Sequence, residues 1–207
     1  MSEFKTVAGE TEAISVIERS KFICLLKGVN DEEDAKSFID AVRKKYPLAN
    51  HYCYAYIADE KGLNQKFSDD GEPHGTAGLP ILNAIKGKGL FKTVAVVVRY
   101  FGGIKLGTGG LSRAYGGTAI AAIDKAEFVT LTEAEFYIFS LTYAQYKKIL
   151  PIMGGAVVFT EYGEGVKIKI AAKKGEKDAI FTKISETLGT NSSAEYGGEG
   201  YFEFKTK

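Results

Sequence analysis

The sequence of 207 residues lacks several features that would place it in a compartment or a structural class. No run reaches the eighteen or so uninterrupted apolar residues of an ordinary membrane-spanning helix. The residues from Met1 to Lys5 lack the basic and then apolar layout of a secretory signal. The two cysteines, Cys24 and Cys53, are too few for a disulfide framework. We therefore expect a cytoplasmic protein with reduced thiols and no membrane association.

Carboxylates are absent from one long segment, Pro73–Ile123, which we call the acid-free window. The chain holds 26 aspartates and glutamates, and none of them lies in these 51 residues. The rest of the chain combines all 26 acids with 21 of the 27 lysines and arginines, so positive charge is concentrated in the window. This arrangement predicts that an anionic partner is drawn to one place. The six cations of the window are Lys86, Lys88, Lys92, Arg99, Lys105 and Arg113.

Several catalytic motifs are also absent. The sequence contains no Walker A lysine, dinucleotide fingerprint, nucleophile elbow or zinc-protease helix. We therefore predict no catalytic residue, no cofactor and no metal. With 45% hydrophobic and 26% charged residues, the chain has the composition of a folded protein rather than a disordered one.

Apolar runs and turn residues predict the elements of the first part of the chain. Asn30 is the expected N-cap of the first helix, whose acidic first turn and basic last turn complement the helix dipole. Thr93–Tyr100 is almost continuously apolar, which is typical of a strand buried on both faces. Strands are expected at 13–17, 21–29, 51–58 and 93–100, helices at 31–45, 79–85 and 111–125, and a polar turn region at 59–73.

The second part of the chain alternates more regularly. Strands are expected at 134–142, 156–162, 166–172 and 194–204, and helices at 143–150 and 176–188. Pro151 is expected to end the first of these helices, and Gly189 to cap the second. The order β-α-β-β-α-β is that of a ferredoxin-like domain. We thus predict an α+β protein with two domains, residues 1–131 and 132–207.

The segment Val98–Gly117 contains seven glycines in twenty residues, and we call it the glycine-rich segment. It follows a buried strand and opens a helix, so its backbone N–H groups and the positive helix end are suited to phosphate. Tyr100, Phe101 and Tyr115 are candidates for stacking on bases. In the alternative interpretation, the glycines only allow a tight turn and close packing. The predicted nucleic-acid-binding residues are Arg99, Tyr100, Phe101, Gly102, Gly103, Lys105, Gly107, Thr108, Gly109, Gly110, Ser112 and Arg113.

Two smaller constellations lie upstream. His51 and Cys53 are two residues apart on a predicted strand, so they share a face and form a possible minor site together with His74. Asp69, Asp70 and Glu72 supply oxygen ligands of the kind that magnesium or calcium binds. Each has a simpler interpretation: His51 and Cys53 as a half-buried strand face, and the acidic stretch as a turn.

The window and its lead-in carry a family resemblance. The resembling residues are Gly78-Leu79-Pro80-Ile81-Leu82, Ile85, Leu90, Val96-Val97, Arg99-Tyr100-Phe101-Gly102-Gly103 and Leu106-Gly107, preceded by Asp70-Gly71-Glu72-Pro73 and Gly75-Thr76-Ala77-Gly78. With this spacing the chain resembles the YigZ/IMPACT family over at least Asp70–Gly117. His51-Tyr52-Cys53-Tyr54-Ala55 is similar to a His-x-Cys-x-Ala pattern of that family, whereas His74 stands where serine is expected.

The resemblance implies an IMPACT-type first domain, similar to the β-α domain shared by a small-subunit ribosomal protein and elongation factor G. It implies that the ferredoxin-like second domain is similar to the neighbouring domain of that factor. Eukaryotic relatives are translation regulators, and bacterial ones are suspected to bind RNA or ribosomes. These implications are drawn from fold-level likeness.

We therefore expect an RNA- or ribosome-associated protein, a translation regulator that binds through its basic glycine-rich surface and has a protein partner in translation control. One alternative is a phosphate- or nucleotide-dependent enzyme, because Gly107–Ser112 resembles the phosphate loop of small-molecule kinases. Another is a protein-interaction module that uses tyrosines of the second domain, such as Tyr137, Tyr143 and Tyr162.

Overall fold

The computed structural model describes residues 3–191 and 193–204. The protein is of mixed α/β composition, as expected, and separates into two compact units. One unit comprises Phe4–Thr130, and the other comprises Glu3 together with the chain from Leu131 onward. Within the residues described, no helix is both long enough and apolar enough to cross a membrane.

The first unit is built on a five-stranded antiparallel sheet. Its elements are β1 (Glu3–Val7), β2 (Glu10–Ile17), β3 (Ser20–Gly28), α1 (Glu32–Lys45), β4 (His51–Ile57), β5 (Gln65–Ser68), α2 (Gly78–Gly87), β6 (Thr93–Tyr100) and α3 (Gly107–Lys125). The strand order in the sheet is β2-β3-β6-β4-β5. The strand β6 lies at the centre, and its side chains are buried on both faces, which confirms the prediction for Thr93–Tyr100.

Two hydrophobic cores lie on opposite faces of this sheet because successive side chains of a strand alternate. On one face, Ile23 and Leu25 of β3 pack with the apolar stripe of α1, which includes Phe38 and Val42. On the other face, Cys24 and Leu26 pack with α2 and α3. Glu72, in the loop that leads into α2, contacts Arg99 near the end of β6 and Tyr115 in α3, so the loops that lead into both helices meet at one end of the sheet.

Several predicted boundaries in this unit were wrong. Asp31, not Asn30, is the N-cap of α1, and its Oδ1 accepts the backbone N–H of Asp34 at 2.8 Å. Asn30 instead donates its own N–H groups to Asp34. The predicted turn region 59–73 contains the edge strand β5, and β1 was missed. Most side chains of β5 are exposed, so no apolar alternation marks that strand in the sequence.

The second unit follows the predicted order of elements. They are β7 (Phe128–Leu141), α4 (Tyr143–Met153), β8 (Val157–Tyr162), β9 (Val166–Lys173), α5 (Lys177–Leu188) and β10 (Glu195–Phe202). Strand β7 pairs with both β9 and β10, and β8 pairs with β9, so the order of these four strands is β10-β7-β9-β8. All of these pairs are antiparallel. Gly189 ends α5 with a φ of 67°, as predicted.

One prediction in this unit was wrong. Pro151 does not end α4, which continues to Met153 with the proline inside its last turn. Proline removes one backbone hydrogen bond from a helix. Burial of Ile149 and Met153 in the core on either side of it offsets that loss.

Candidate functional site

The glycine-rich segment passes from the end of β6 through the loop 101–106 into α3. The helix begins at Gly107, four residues before the predicted start at Leu111. A Cβ at Gly102 would overlap the backbone of Arg19, and its N–H donates to the hydroxyl of Ser20 at 3.1 Å. Gly103 and Gly107 have positive φ angles of 87° and 69°. These three glycines are therefore required by the backbone itself, as the alternative interpretation supposed.

The start of α3 is open to solvent and carries no side-chain cap. The N-cap residue, Leu106, makes no side-chain capping bond, and the first turn contains no acid. Gly107, Thr108 and Gly109 are exposed. The first N–H groups of a helix have no partner within it, so this end presents donors and partial positive charge to the solvent. Ser112, by contrast, uses its hydroxyl on the carbonyl oxygen of Thr108 at 3.1 Å.

Arg99 is buried, not displayed. It is 5% exposed, and its Nη1 lies 2.5 Å from Oε1 of Glu72. Nη2 donates to Ser20 at 3.3 Å. The prediction that Arg99 offers an exposed phosphate contact is therefore corrected: its charge already has a partner. Glu72 lies just outside the acid-free window, and folding brings it back against the window.

Glu72 gathers three groups around a single oxygen. Its side chain is 5% exposed. Besides Arg99, Oε1 accepts the hydroxyl of Tyr115 at 2.7 Å and lies 3.8 Å from Nε2 of His51. Tyr115 is fully buried, so it cannot stack on a base, and burial raises its pKa, which keeps the hydroxyl protonated. Glu72 thus ties β4, β6 and α3 together at one point.

His51 and Cys53 have different environments although they share a strand face. Nδ1 of His51 lies 2.8 Å from the carbonyl oxygen of Asp70 and is the donor of this hydrogen bond, because a carbonyl oxygen can only accept. The other ring nitrogen, Nε2, faces Glu72. Cys53 is fully buried, and its thiol donates to the carbonyl oxygen of Asp69 at 3.0 Å. Burial raises the pKa of Cys53, which opposes formation of a thiolate.

The acidic stretch before the window is structural. Asp69 accepts the backbone N–H groups of Gly75, Ala77 and Gly78 at 2.8–2.9 Å and so caps α2. Burial alone would raise the pKa of Asp69, but these donors lower it. Asp70 pairs with Arg43 at 2.6 Å. The third residue of the minor site, His74, is 98% exposed in its side chain. No group of potential metal ligands occurs among the residues that the structure describes.

A cleft of about 490 Å³ lies at the end of the sheet where Glu72 contacts Arg99. We call it the main cleft. Its walls include His51, Glu72 and Arg99 on one side, and Lys105 and the start of α3 on the other. Phe101, which is 46% exposed, also lines it. No sequence pattern pointed to Asn50, whose Oδ1 accepts the N–H of Phe101 at 2.8 Å and holds that loop beside the start of β4.

A second cleft of about 430 Å³ adjoins the main cleft. Lys105 and Leu106 line both, so the two clefts meet at these residues. Gly110, Arg113 and Glu18 line the second cleft. Tyr100 contributes to neither: its ring packs with the core on the α1 face, and its hydroxyl donates to Pro47 at 3.3 Å.

The cations of the window do not form one patch. Lys105 and Arg113 are exposed at the clefts, and neither has an ion pair within the described ranges. Lys92 lies just before β6, and Arg99 lies near the end of that strand. At the rise of an extended strand, the two residues are about 23 Å apart. Lys88 pairs with Asp124 at the far end of α3. Only two of the six cations therefore supply free charge to the clefts.

The tyrosines proposed for protein interaction differ in exposure. Tyr143 and Tyr162 are exposed and line a cleft of about 580 Å³ in the second unit. Tyr137 is buried in the core of that unit, so it contributes to packing rather than to a surface.

Comparison with known proteins gives consistent matches. A family model described as the Impact N-terminal domain matches residues 18–123. IMPACT family member YvyE from Bacillus subtilis is 37% identical over 95% of this chain and 91% of its own length. IMPACT family member YigZ from Escherichia coli is 35% identical over 90% of this chain and 94% of its own length. The crystal structure of a hypothetical protein, 32% identical, superposes with a TM-score of 0.67 over 95% of this chain and 98% of that one.

Proposed function

The chain belongs to the IMPACT family, and we propose that it binds RNA, on the ribosome or in the regulation of translation, through the surface where the two clefts meet. The observation that carries this proposal is the pair of exposed, unpaired cations beside the uncapped start of α3. Lys105 stands between the clefts, and Arg113 follows one and a half turns into the helix.

Electrostatics favour a polyanion at this position. A helix start without a cap or an acid in its first turn attracts phosphate through its N–H groups and its dipole. Lys105 and Arg113 add positive charge, and neither forms an ion pair with an acid of the described residues, although Glu18 lines the second cleft with them. The exposed ring of Phe101 offers a stacking surface for a base. Contacts of these kinds tolerate any sequence, so we expect binding with little sequence preference.

The folds of the two units agree with the proposal. We propose residues 1–131 and 132–207 as the two domains, the second of them ferredoxin-like. The strand order β10-β7-β9-β8 within a β-α-β-β-α-β chain supports that assignment. The family resemblance links such a pair of domains to elongation factor G and a ribosomal protein, which favours a ribosomal partner.

The test is a double variant, Lys105→Ala/Arg113→Ala, assayed by ribosome co-sedimentation and by titration of a single-stranded RNA at several salt concentrations. Each lost phosphate contact reduces the slope of log K against log salt by about 0.7 for a single strand, so the double variant is expected to lose about 1.4. The matched control is Lys147→Ala/Lys148→Ala, which removes the same charge from an exposed stretch of α4. Equal loss in both variants, or in neither, contradicts the proposed site.

One observation favours a second function, a phosphate- or nucleotide-dependent enzyme. Such an enzyme needs a carboxylate or lysine that faces the loop Gly107–Ser112, and Glu72 and Lys105 line the same cleft as Gly107 and Thr108. Ligand that binds only the folded state raises the melting temperature. A clear rise with ATP and magnesium, together with no affinity for RNA, would favour the enzyme.

A further inference from the structure

Glu72 has one oxygen that its neighbours do not use. Arg99, Tyr115 and His51 all approach Oε1. Oε2 accepts no hydrogen bond from any described residue, although the side chain is 5% exposed. A carboxylate oxygen with little exposure and no protein donor is poorly solvated, so it favours a ligand that donates a hydrogen bond to it.

The vacant oxygen is accessible from the main cleft. Within the described part of the chain, Arg99 Nε is the one side-chain atom that is both inaccessible and without a partner, so Oε2 keeps some accessible surface. Glu72 is part of the cleft wall, as are Lys105 and Phe101. The cleft therefore presents three different chemical demands together: a hydrogen-bond donor for Glu72, an anion for Lys105 and the start of α3, and a flat group for Phe101.

A ribonucleotide within RNA meets all three demands. Its phosphate is the anion, its base is the flat group, and its 2′-hydroxyl is a donor that DNA does not have. We propose that Oε2 of Glu72 accepts a hydrogen bond from a ribose 2′-hydroxyl, and that the main cleft thereby distinguishes RNA from DNA. This inference rests on the proposed binding of nucleic acid at the clefts.

Arg99 positions the carboxylate for this role. Its contact with Oε1 fixes the orientation of the carboxylate and leaves Oε2 free to accept. Tyr115 donates to the same oxygen from the core side, so the carboxylate is held from two directions. A charged acceptor that is already oriented gives a stronger hydrogen bond than a mobile one.

The test compares three oligonucleotides of one sequence on the unmodified protein: RNA, DNA, and RNA with 2′-O-methyl groups, which cannot donate. Fluorescence anisotropy measures their dissociation constants. A hydrogen bond to a charged group predicts that RNA binds about tenfold or more tightly than the other two. Equal affinity for all three overturns the inference and leaves the proposed function standing. No binding of any of them overturns both.

A variant locates the discrimination. Glu72→Gln keeps the shape of the side chain, and its amide oxygen can still accept from Tyr115, which turns the amide N–H groups toward the cleft. An amide N–H group can donate to a 2′-hydroxyl oxygen or to a 2′-O-methyl oxygen, so RNA and 2′-O-methyl RNA are then expected to bind the variant equally. Phe101→Ala is the matched control: it is expected to weaken RNA and DNA by the same factor and to keep their ratio. A preference for RNA over 2′-O-methyl RNA that survives in Glu72→Gln overturns the assignment to Glu72. If that variant does not fold, the comparison of the three oligonucleotides on the parent protein still tests the inference.

Discussion

Replacing Arg99 by methionine tests the buried ion pair on which the site is built. Methionine has a similar length and no charge, so the change leaves Glu72 buried with Tyr115 as its remaining close donor. The side chains of Arg99 and Glu72 are 6% and 5% exposed. Removing one partner of such a pair typically destabilises a protein by about 3–5 kcal/mol, because the other charge stays in a medium that solvates it poorly.

A double variant separates the cost of the stranded charge from the loss of packing. Arg99→Met/Glu72→Leu removes both charges and leaves only the Tyr115 hydroxyl without its acceptor. An unsatisfied buried hydroxyl costs about 1–3 kcal/mol, so the double variant is expected to be more stable than the single one. The exposed pair Lys88–Asp124 provides the control, and Lys88→Met is expected to cost less than about 1 kcal/mol.

Hydrogen exchange followed by mass spectrometry measures the effect where it occurs. Peptides from β6 report the opening free energy of the first unit separately from that of the second. A loss of less than about 1 kcal/mol for Arg99→Met, equal to that for Lys88→Met, would refute the reasoning. It would mean that the guanidinium is solvated, and Arg99 would again be a candidate for direct phosphate contact.

Three further predictions concern the surroundings of the clefts. Asp69→Ala is expected to lower stability by about 1 kcal/mol at neutral pH through loss of the α2 cap. Folding lowers the pKa of Asp69, so the carboxylate stabilises the fold above its unfolded pKa of about 3.9, and this stabilisation is lost as pH falls through the folded pKa. The melting temperatures of the variant and the parent should therefore approach each other at pH 3, and an unchanged difference contradicts the prediction. Gly102→Ala is expected to lower the melting temperature, because the added Cβ overlaps the backbone of Arg19. Gly117→Ala is expected to raise it, because Gly117 lies in α3 with open space around it and alanine favours a helix. Equal shifts in the two variants would contradict the close approach of Gly102 to Arg19. Burial raises the pKa of Cys24 to about 12 and also raises the pKa of Cys53, so neither thiol should react with a disulfide reagent until urea unfolds the protein. Rapid labelling of Cys53 in the native protein would show that reagent reaches the core of the first unit.

The sequence predicted the framework well because its signals are local. The buried β6, the dipole pattern of α1 and the glycine cap of α5 each depend on neighbouring residues. The misses have equally physical causes. The strand β5 is an exposed edge with no alternation, and α4 continues past Pro151 because packing of Ile149 and Met153 offsets one lost bond. Rules based on the propensities of single residues describe neither an exposed edge strand nor a helix that tertiary packing extends past a proline.

The site was predicted only in part. Lys105, Phe101 and Gly107 line one cleft, and their contact with nucleic acid stays a prediction. Arg99 and Tyr115 were expected beside them as exposed groups and are instead buried against Glu72. Glu72 lies 27 positions before Arg99, and a count of charges along the chain cannot show a pairing made by folding.

The acid-free window has a different meaning in three dimensions from the one it has in the sequence. Half of its cations lie before β6, and Lys92 is about 23 Å from Arg99 at the rise of an extended strand, so it belongs to the far end of the sheet. At the near end, one of three charges is neutralised by an acid from outside the window. If total positive charge set the affinity, Lys86→Ala and Lys105→Ala would weaken RNA binding equally. If local geometry sets it, Lys105→Ala has an effect and Lys86→Ala has none, because Lys105 lines both clefts and Lys86 lines neither. The structure favours the second outcome, since charges separated by more than a Debye length of about 8 Å are largely screened at physiological salt.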